Sequence, residues 1–299
     1  MLGVFKNLSN DDYHADRSAV SRSGLWEFRR CPAKYWNAYL NPERPERKDT
    51  PDMAFGRAFH TFVLEPHLFD DYYYVQDLEL PEIDKKPLKG DLQLKYGKEQ
   101  GHALYEEAKR LEIQQKALRD RLIADFSAKS AGKELITRDQ LTTLRLMEKS
   151  VLAHPEASQL IRGGEVEHSL FWEDPHTGVR CKTRPDLWFD NMTVDLKTIE
   201  SADERSFIHS CIKYGYSLQS AMNREGIYHT GHNDIKKHAF LCVEKKWPYL
   251  VAVYILDQSA LDSAHIMLKN TLTKFKECLT TNIWESYPTR EVSLPAWAE

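Results

Sequence analysis

The sequence predicts an α/β protein with a mixed central β-sheet flanked by helices. Three segments, 164–174, 178–190 and 192–199, alternate or run apolar and are separated by turn sequences, as expected of β-strands. A long helical segment, about 203–228, follows them, and two further strands lie between it and a last helix. This order of helix, strands, helix, strands and helix is typical of a layered α/β fold. Of the 299 residues, 41% are hydrophobic and 11% aromatic, enough to bury a sizeable core.

The other elements are assigned in chain order. Ser21 or Ser23 is a candidate N-cap for the first helix, and Pro32 marks a break or a second helix start. Residues 53–66 are apolar all round and predict a buried helix, whereas residues 137–161 predict an amphipathic one. The remaining predictions are a loop at 41–52, strands at 237–245 and 249–256, and a helix at about 258–280.

We expect one domain over residues 1–299 that carries a helical insertion. From about 81 to 133 the sequence becomes polar and irregular, and then rich in Ala, Glu, Lys, Arg and Leu but weakly apolar. A helix of this composition lacks a strong stripe that would face a core. The segment therefore predicts a partly mobile insertion that lies outside the core.

Charge and cysteine content exclude several classes of protein. The formal net charge of -4 argues against a generally basic nucleic-acid coat protein, although a narrow basic groove is compatible with that total. The 5 cysteines are scattered without CxxC spacing, which indicates free thiols in a reducing cytoplasm and argues against structural zinc. No apolar stretch approaches the length of a membrane span, so we expect no membrane partner.

Two acids and a lysine lie close together within residues 181–200. Residues i and i+2 of a strand share a face, so Asp195 and Lys197 point the same way. Asp186 lies across a short turn, which brings its carboxylate and that of Asp195 within reach of one Mg²⁺ ion. The carbonyl of Leu196 is a further candidate ligand, and Lys197 can orient or deprotonate a metal-bound water. An ordinary hairpin with a surface salt bridge would show the same pattern.

Gly56 and His60 lie four residues apart, on one side of the predicted helix 53–66. A glycine there permits another backbone to approach closely. His60 is either a buried histidine bonded to a backbone carbonyl or a neutral imidazole that completes a metal shell.

These residues together resemble the RecB-type nucleases of the PD-(D/E)xK superfamily. In that family G-x-x-x-H is followed by "RPD", "DLK" and a glutamine on the next helix. The runs "DDYHADRSAVSRSGLWEFRRCPAKYW" and "FGRAFHTFVLEP", the "HP" near 155 and the ending "W...YP......LPAW" further resemble the RecE-type exonuclease domain, that is, exodeoxyribonuclease VIII and its prophage relatives. The resemblance covers most of the chain except about 81–133, and it implies a PD-(D/E)xK nuclease core.

The resemblance implies a processive Mg²⁺-dependent exonuclease, with Mn²⁺ as a possible substitute. Such an enzyme digests linear double-stranded DNA from 5′ ends and leaves 3′ single strands for recombination with a RecT-like annealing protein. A ring-shaped homo-oligomer that encircles DNA is implied as well. By position, His60, Asp186 and Asp195 are metal ligands and Lys197 is the catalytic lysine.

Two further catalytic candidates follow from the resemblance. Glu167, on the preceding strand, either assists a metal or water or is a surface acid. Gln219 matches the glutamine of the family's Q-x-x-x-Y motif, but Asn223 occupies the tyrosine position. Nearby tyrosines are candidates to replace it: Tyr214, Tyr216 and Tyr228.

Some RecB-like nucleases also carry an iron–sulfur cluster whose first cysteine lies in a "CP" context like that of Cys31. Such a cluster needs three more cysteines near the C-terminus, and only Cys278 lies there, so we expect no cluster. Phosphate contacts outside the metal site need basic side chains, each of which is otherwise a solvated charge. The candidates are Arg22, Arg29, Arg30, Lys34, Lys182 and Arg184, with Arg22 favoured for a 5′-phosphate.

Two other functions remain compatible with the sequence. A restriction- or repair-type PD-(D/E)xK endonuclease needs an element that reads base edges, and no separate domain of that kind is visible. A non-catalytic DNA-binding relative with a decayed site is disfavoured by the intact acids, lysine and histidine.

Overall fold

The structure, a computed structural model, describes residues 2–45 and 49–293. It has the predicted α/β class, with a mixed sheet flanked by helices. The chain divides into two compact units. The first comprises Met1–Glu65 and Leu146–Glu299, and the second is Pro66–Arg145. No described helix combines the length and the apolarity needed to cross a membrane.

The strands of the described residues, in chain order, are β1 (Gly3–Phe5), β2 (Tyr73–Gln76), β3 (Glu134–Thr137), β4 (Glu165–Val166), β5 (Ser169–Glu173), β6 (Arg180–Thr183), β7 (Leu187–Trp188), β8 (Met192–Ile199), β9 (Lys237–Glu244) and β10 (Val251–Ile255).

The α-helices of the same residues are α1 (Asn10–Ala15), α2 (Arg22–Arg30), α3 (Pro32–Tyr35), α4 (Pro51–Leu64), α5 (Phe69–Tyr72), α6 (Lys89–Tyr96), α7 (Lys98–Ser130), α8 (Arg138–Ala153), α9 (Pro155–Leu160), α10 (Glu204–Tyr214), α11 (Tyr216–His229) and α12 (Gln258–Thr281).

The first unit contains two sheets. A five-stranded mixed sheet has the order β10-β9-β8-β7-β4, in which β8 and β9 are parallel and the other neighbours antiparallel. A three-stranded antiparallel sheet has the order β1-β5-β6. The sequence predicted one sheet, because segments 164–174 and 178–190 each read as a single strand. The first segment is in fact broken at Glu167 and the second at Pro185. Each therefore forms two strands, one in each of the two sheets.

Strand β8 lies between helices on both of its faces. On one face lies α4, where a Cβ on Gly56 would be 3.5 Å from the Thr198 hydroxyl. On the other face, Ile199 packs with Phe207 of α10 and Tyr216 of α11. Because alternate residues of a strand point to opposite faces, side chains of β8 are presented to both helical layers.

The predicted helix 203–228 is two helices in the structure. Gly215 adopts a left-handed conformation, with φ of 66°, and separates α10 from α11. A Cβ at this position would lie 2.3 Å from the ring of Trp26, so a glycine is needed for space as well as for conformation. The break went unpredicted because the apolar spacing continues across it.

The first helices of the chain agree with their signals. Ser21 caps α2 by accepting a hydrogen bond from the Gly24 amide at 3.3 Å, and Pro32 opens α3. The amphipathic helix predicted at 137–161 ends at Ala153, and a short helix follows from Pro155. His154 caps that helix through Nδ1, which accepts from the Ala157 amide at 3.3 Å.

The second unit is larger than the predicted insertion of 81–133, because it includes a two-stranded parallel sheet of β2 and β3. Helices α6 and α7 pack closely: the Cβ position of Gly101 is 2.6 Å from the backbone of Gln93. The irregular segment before α6 is joined to α7 by Asp84 and Gln115, whose side chains are hydrogen-bonded at 3.0 Å. The unit therefore has internal order of its own.

Candidate functional site

Strand pairing places Asp186 opposite Asp195. In the antiparallel pair of β7 and β8, Leu187 faces Val194, so the preceding residue Asp186 comes level with Asp195. Asp186 Oδ2 accepts a hydrogen bond of 2.6 Å from the Leu196 amide. Both carboxylates are buried, with exposures of 7% for Asp186 and 0% for Asp195. The predicted pairing of these acids across a turn is confirmed by this geometry.

Asp195 and Lys197 share a face of β8, as predicted, and they form an ion pair. The Lys197 ammonium lies 2.5 Å from Asp195 Oδ2. Gln219 of α11 donates through Nε2 to Asp195 Oδ1, and its Oε1 lies 3.5 Å from the same ammonium. The Tyr216 ring lies beneath Lys197, with 5.2 Å between ring centroid and Nζ. The predicted residues Lys197 and Gln219 are thus joined to Asp195 through direct contacts.

His60 of α4 faces the same acids from another direction. Its Nδ1 lies 3.5 Å from Asp186 Oδ2 and 4.0 Å from Glu167 Oε1. One ligand atom each from His60, Glu167 and Asp186 lies within 4.8 Å of the others, so the three can share one cation. The structure therefore adds Glu167, expected as a catalytic assistant, to the group that is able to bind the metal.

Glu167 reaches His60 because the chain turns sharply between β4 and β5. It has a φ of 52°, a left-handed conformation that a non-glycine residue rarely adopts. Its amide donates to the Asp186 carbonyl at 3.2 Å, which holds the turn against the neighbouring strand. Sequence alone indicated an acid on a strand; the interrupted alternation at Glu167 and His168 was the available sign of this turn.

The site holds more negative charge than its own cations neutralise. Burial and the Asp195 charge raise the pKa of Asp186 to about 7, against the opposing effect of His60. Burial lowers the pKa of His60, but the Asp186 and Glu167 carboxylates outweigh burial and raise it to about 9. Protons thus bind tightly where a cation would otherwise bind.

The donor set fits a hard divalent cation. Carboxylate and carbonyl oxygens with a single imidazole suit Mg²⁺ or Mn²⁺ better than a soft metal. Asp195 Oδ2 is fully buried and lies 2.5 Å from the Lys197 ammonium without good hydrogen-bond geometry, so a cation bound there would share this oxygen with Lys197. Leu196 points its amide toward Asp186, and the carbonyl of the same residue leaves the strand on that side. Asp195 and Leu196 remain predicted ligands beside His60, Glu167 and Asp186.

Arg22 is tied to the site from the first helix. Its guanidinium donates to Gln219 Oε1 at 3.4 Å and to the Tyr214 carbonyl at 3.1 Å. It is half-buried at the start of α2, where amides and the helix dipole attract anions. Its placement agrees with the predicted phosphate contact, which remains a prediction.

Two predicted DNA contacts do not fit the structure. Lys182 is 4% exposed; its ammonium donates to the Tyr13 carbonyl and, at 2.6 Å, to the Asp16 carbonyl, and burial lowers its pKa to about 8. Arg184 donates to Ser169 Oγ at 2.8 Å and to the Leu8 carbonyl at 2.9 Å. Both side chains hold the N-terminal segment, so they are structural rather than available to phosphates. Alternation on a strand does not reveal whether another segment covers it.

The other basic candidates are exposed. Arg29 and Arg30 lie at the end of α2, and Lys34 extends over the Tyr287 ring at 5.5 Å. Nothing in the structure joins these three to the acids, and their predicted contact with DNA stays a prediction.

Several motif residues have structural roles. Asn223 is fully buried and accepts a 2.5 Å hydrogen bond from Thr183 Oγ1, so it is not positioned to touch DNA. The expectation that another backbone approaches Gly56 closely is wrong, because an added Cβ would meet only the Thr198 hydroxyl, at an ordinary contact distance. Cys31 is a buried thiol near the Glu285 carbonyl, as predicted. The "LPAW" part of the C-terminal motif lies outside the described residues.

Comparisons with known proteins agree with this arrangement. Residues 21–290 match the model of a family described as a PDDEXK-like domain of unknown function, DUF3799. The chain is similar to a crystal structure from Eubacterium rectale described as a "putative exonuclease", at 12% identity and a TM-score of 0.56, over 95% of this chain and 96% of that one. At this identity the similarity shows the fold alone.

A further similarity, to the crystal structure of SSO0001, has 16% identity and a TM-score of 0.26 and covers 78% of this chain and 97% of that one. A TM-score this low does not establish a shared fold. No curated protein matches the chain in sequence.

Proposed function

This chain belongs to the DUF3799 family of PDDEXK-like domains, and we propose that it is a metal-dependent exonuclease that degrades linear double-stranded DNA from its ends. One observation carries the proposal: His60 from α4 and Glu167 and Asp186 from the strand region converge within cation-binding distance. Asp186 joins this group to the Asp195–Lys197 pair. A hairpin with a surface salt bridge would need neither the histidine nor buried acids.

His60, Glu167, Asp186, Asp195 and the Leu196 carbonyl would hold Mg²⁺, with Mn²⁺ as a substitute. Bound there, the ion would supply a water of lowered pKa and stabilise charge that develops on the phosphate.

The protein's own groups position the reactants. Lys197 is held 2.5 Å from Asp195, where it can orient the attacking water and offset charge in the transition state. Gln219 fixes both members of that pair by contacting the Asp195 carboxylate and the Lys197 ammonium. The contact between Arg22 and Gln219 supports a role for Arg22 in binding a phosphate close to the cut. Each role follows from a contact that already exists without DNA.

The finer features of the proposal come from the sequence resemblance. We propose digestion from 5′ ends, 3′ single-stranded products for recombination with a RecT-like annealing protein, and a ring-shaped homo-oligomer around the duplex. The Eubacterium rectale protein of similar fold is itself described as a "putative exonuclease". All five cysteines are free, in keeping with action in the reducing cytoplasm of a prophage-carrying cell.

The test is digestion of one DNA in two forms, linear duplex and covalently closed circle, with Mg²⁺ or Mn²⁺ and with chelator. We expect loss of the linear form only, and only with metal. Labels on the 5′ or the 3′ end report polarity through the order in which labelled nucleotide appears. Lys197→Ala should abolish digestion while DNA binding persists. Lys245→Ala serves as the matched control, because Lys245 pairs with the exposed Asp52 rather than with the acids of the site.

Each alternative outcome has a distinct meaning. Cutting of closed circles would replace the exonuclease with an endonuclease. Metal-dependent binding without cleavage of either form would indicate a non-catalytic relative. Full activity of Lys197→Ala would overturn the assignment of this site.

A further inference from the structure

We propose that the exposed ring of Tyr214 forms a nucleobase subsite, on which the base beside the cut bond stacks. The subsite is linked to Lys197 through Tyr216, and its proposal rests on the proposed nuclease function. Tyr214, the last residue of α10, is 46% exposed. Aromatic rings accept any base, so such a subsite holds DNA without selecting sequence.

A stack of side chains joins Tyr214 to the catalytic lysine. Its ring is stacked on that of Tyr216, with centroids 5.8 Å apart and planes inclined by 24°. The Lys197 ammonium lies 5.2 Å from the Tyr216 ring. Tyr216 therefore links the Tyr214 ring to Lys197, within the span of one nucleotide from the proposed reacting phosphate.

Tyr214 is also held in place before DNA binds. Gly215, which follows it, has a fixed left-handed conformation against the Trp26 ring. Arg22 donates to the Tyr214 carbonyl at 3.1 Å and contacts Gln219 as well. A preorganised aromatic surface loses little conformational entropy when a base stacks on it.

Positive charge accompanies the ring. The Lys213 ammonium lies over the Tyr214 ring, 5.1 Å from its centroid, and this exposed side chain has to swing aside for a base to stack. Arg22 supplies a second positive charge through its contact with the Tyr214 carbonyl. A base that stacks brings its own phosphate, which the flexible Lys213 side chain can follow. Ring and cations together suit a nucleotide rather than an apolar partner.

Other aromatic candidates near α11 do not meet both conditions. Tyr216 is 8% exposed, and its ring already contacts Lys197, Phe240 and Tyr214. Tyr228 is 57% exposed but lies at the far end of α11, beside His229. Position 223, where the related motif has tyrosine, is a buried asparagine bonded to Thr183. Among these, Tyr214 alone is both exposed and linked to Lys197.

The first experiment compares Tyr214→Ala, Tyr214→Phe and the control Tyr228→Ala on linear duplex and on the same duplex with an abasic residue at the nucleotide to be released. We expect Tyr214→Ala to lower kcat/KM on normal DNA by about 5- to 150-fold, because stacking contributes on that scale. Tyr214→Phe keeps the ring and should retain activity, as should the control. On abasic DNA, wild type and Tyr214→Ala should cut alike. Three results would overturn the subsite: an equal loss of activity by Tyr214→Ala on both DNAs, an equal loss in Tyr214→Ala and Tyr214→Phe, or no loss in Tyr214→Ala on normal DNA.

A binding measurement separates this proposal from the nuclease function. Duplex with 2-aminopurine at its end is mixed with the protein in Ca²⁺, and quenching of the base's fluorescence reports stacking. We expect quenching by wild type and Tyr214→Phe and its loss in Tyr214→Ala. Quenching that depends on Tyr214 in a protein that cuts no DNA would retain the subsite and refute the nuclease. Cutting by wild type together with unchanged quenching in Tyr214→Ala would retain the nuclease function and refute the subsite.

Discussion

Two largely buried groups in the first unit each combine acids with one lysine, yet their electrostatics are opposite. One comprises Asp174, Glu225 and Lys269, and we call it the balanced network. Lys269 lies 2.8 Å from Asp174 and 2.5 Å from Glu225, and Thr177 donates two further hydrogen bonds to Asp174. Although burial raises the pKa of Asp174 and lowers that of Lys269, these contacts reverse both shifts. Glu225 also lies 3.2 Å from His229 Nε2 and 3.2 Å from His265 Nδ1, so each carboxylate has several polar partners.

The candidate metal site differs from the balanced network in the pKa of its acid. Asp186 keeps a pKa raised to about 7 although His60 and Lys197 lie near it, because burial and Asp195 outweigh them. His60 holds a proton up to about pH 9 because two carboxylates face it. In the balanced network two carboxylates face Lys269 and two histidines, whereas in the site three carboxylates face one lysine and one histidine, which leaves a deficit of positive charge. The difference teaches that a charge deficit, rather than acid content, distinguishes a cation site from a structural ion pair.

The largest effect should come from Asp186→Asn. The change removes the acid shared by both halves of the site, so we expect cleavage with Mg²⁺ to fall roughly 10³-fold, the scale of losing a group that stabilises the transition state. The metal-free melting temperature should stay or rise, because a strained buried charge is lost. Asp174→Asn is the matched control, with normal cleavage and lower stability. Cleavage by Asp186→Asn within tenfold of wild type would contradict the proposed difference between the site and the balanced network.

Next in size is Lys269→Ala, which leaves two buried acids of the balanced network without their lysine. Removing one partner of a buried pair costs about 3–5 kcal/mol, so we expect a loss of that order in the free energy of unfolding, with kcat unchanged. Denaturant titration measures it. Lys245→Ala, whose acidic partners are exposed, should cost about 1 kcal/mol or less. Equal losses would show that the network is not balanced as described.

A pH titration sharpens the same comparison. Folding raises the pKa values of His60 and Asp186, so the folded state binds more protons than the unfolded chain. The stability that each contributes is present below its unfolded value and is lost as pH rises to about 9 for His60 and about 7 for Asp186.

The metal-free protein should therefore lose stability between about pH 4 and 9 relative to a His60→Gln, Asp186→Asn variant. Melting temperatures across that range measure the difference. Mg²⁺ should restore stability at the alkaline end, since a ligand at 100 times its Kd adds about 2.7 kcal/mol. An identical pH profile in the variant would contradict the charge deficit.

The smallest effect is expected at Gly56. An alanine Cβ would meet Thr198 Oγ1 at an ordinary 3.5 Å, and the helix gains from replacement of glycine. Gly56→Ala should change stability by within about 1 kcal/mol, most often upward, and leave cleavage intact. A large loss of activity would show that α4 needs closer access to β8.

Much of the site was predictable because its parts are local. The period of a strand places Asp195 with Lys197, and the short turn brings Asp186 level with Asp195. Helix α4, with His60, was readable from its composition, but its proximity to β8 rested on a family resemblance, since spacing does not report distant contacts.

What sequence reasoning missed depends on tertiary contacts. The left-handed turn at Glu167 and the burial of Lys182 follow from neighbouring segments packed against them. The break at Gly215 is set by Trp26, nearly two hundred residues away, which no local pattern contains. The second sheet arises because two apparent strands each break, at a positive φ and at a proline.

The most direct measurement is a crystal soaked in Mn²⁺ and examined by anomalous scattering. A peak within about 2.3 Å of oxygens from Asp186 and at least one of Glu167, Asp195 or the Leu196 carbonyl is the predicted result, with His60 facing the ion and no peak at the balanced network. An empty site at Asp186 with the ion bound between Asp174 and Glu225 would contradict the account.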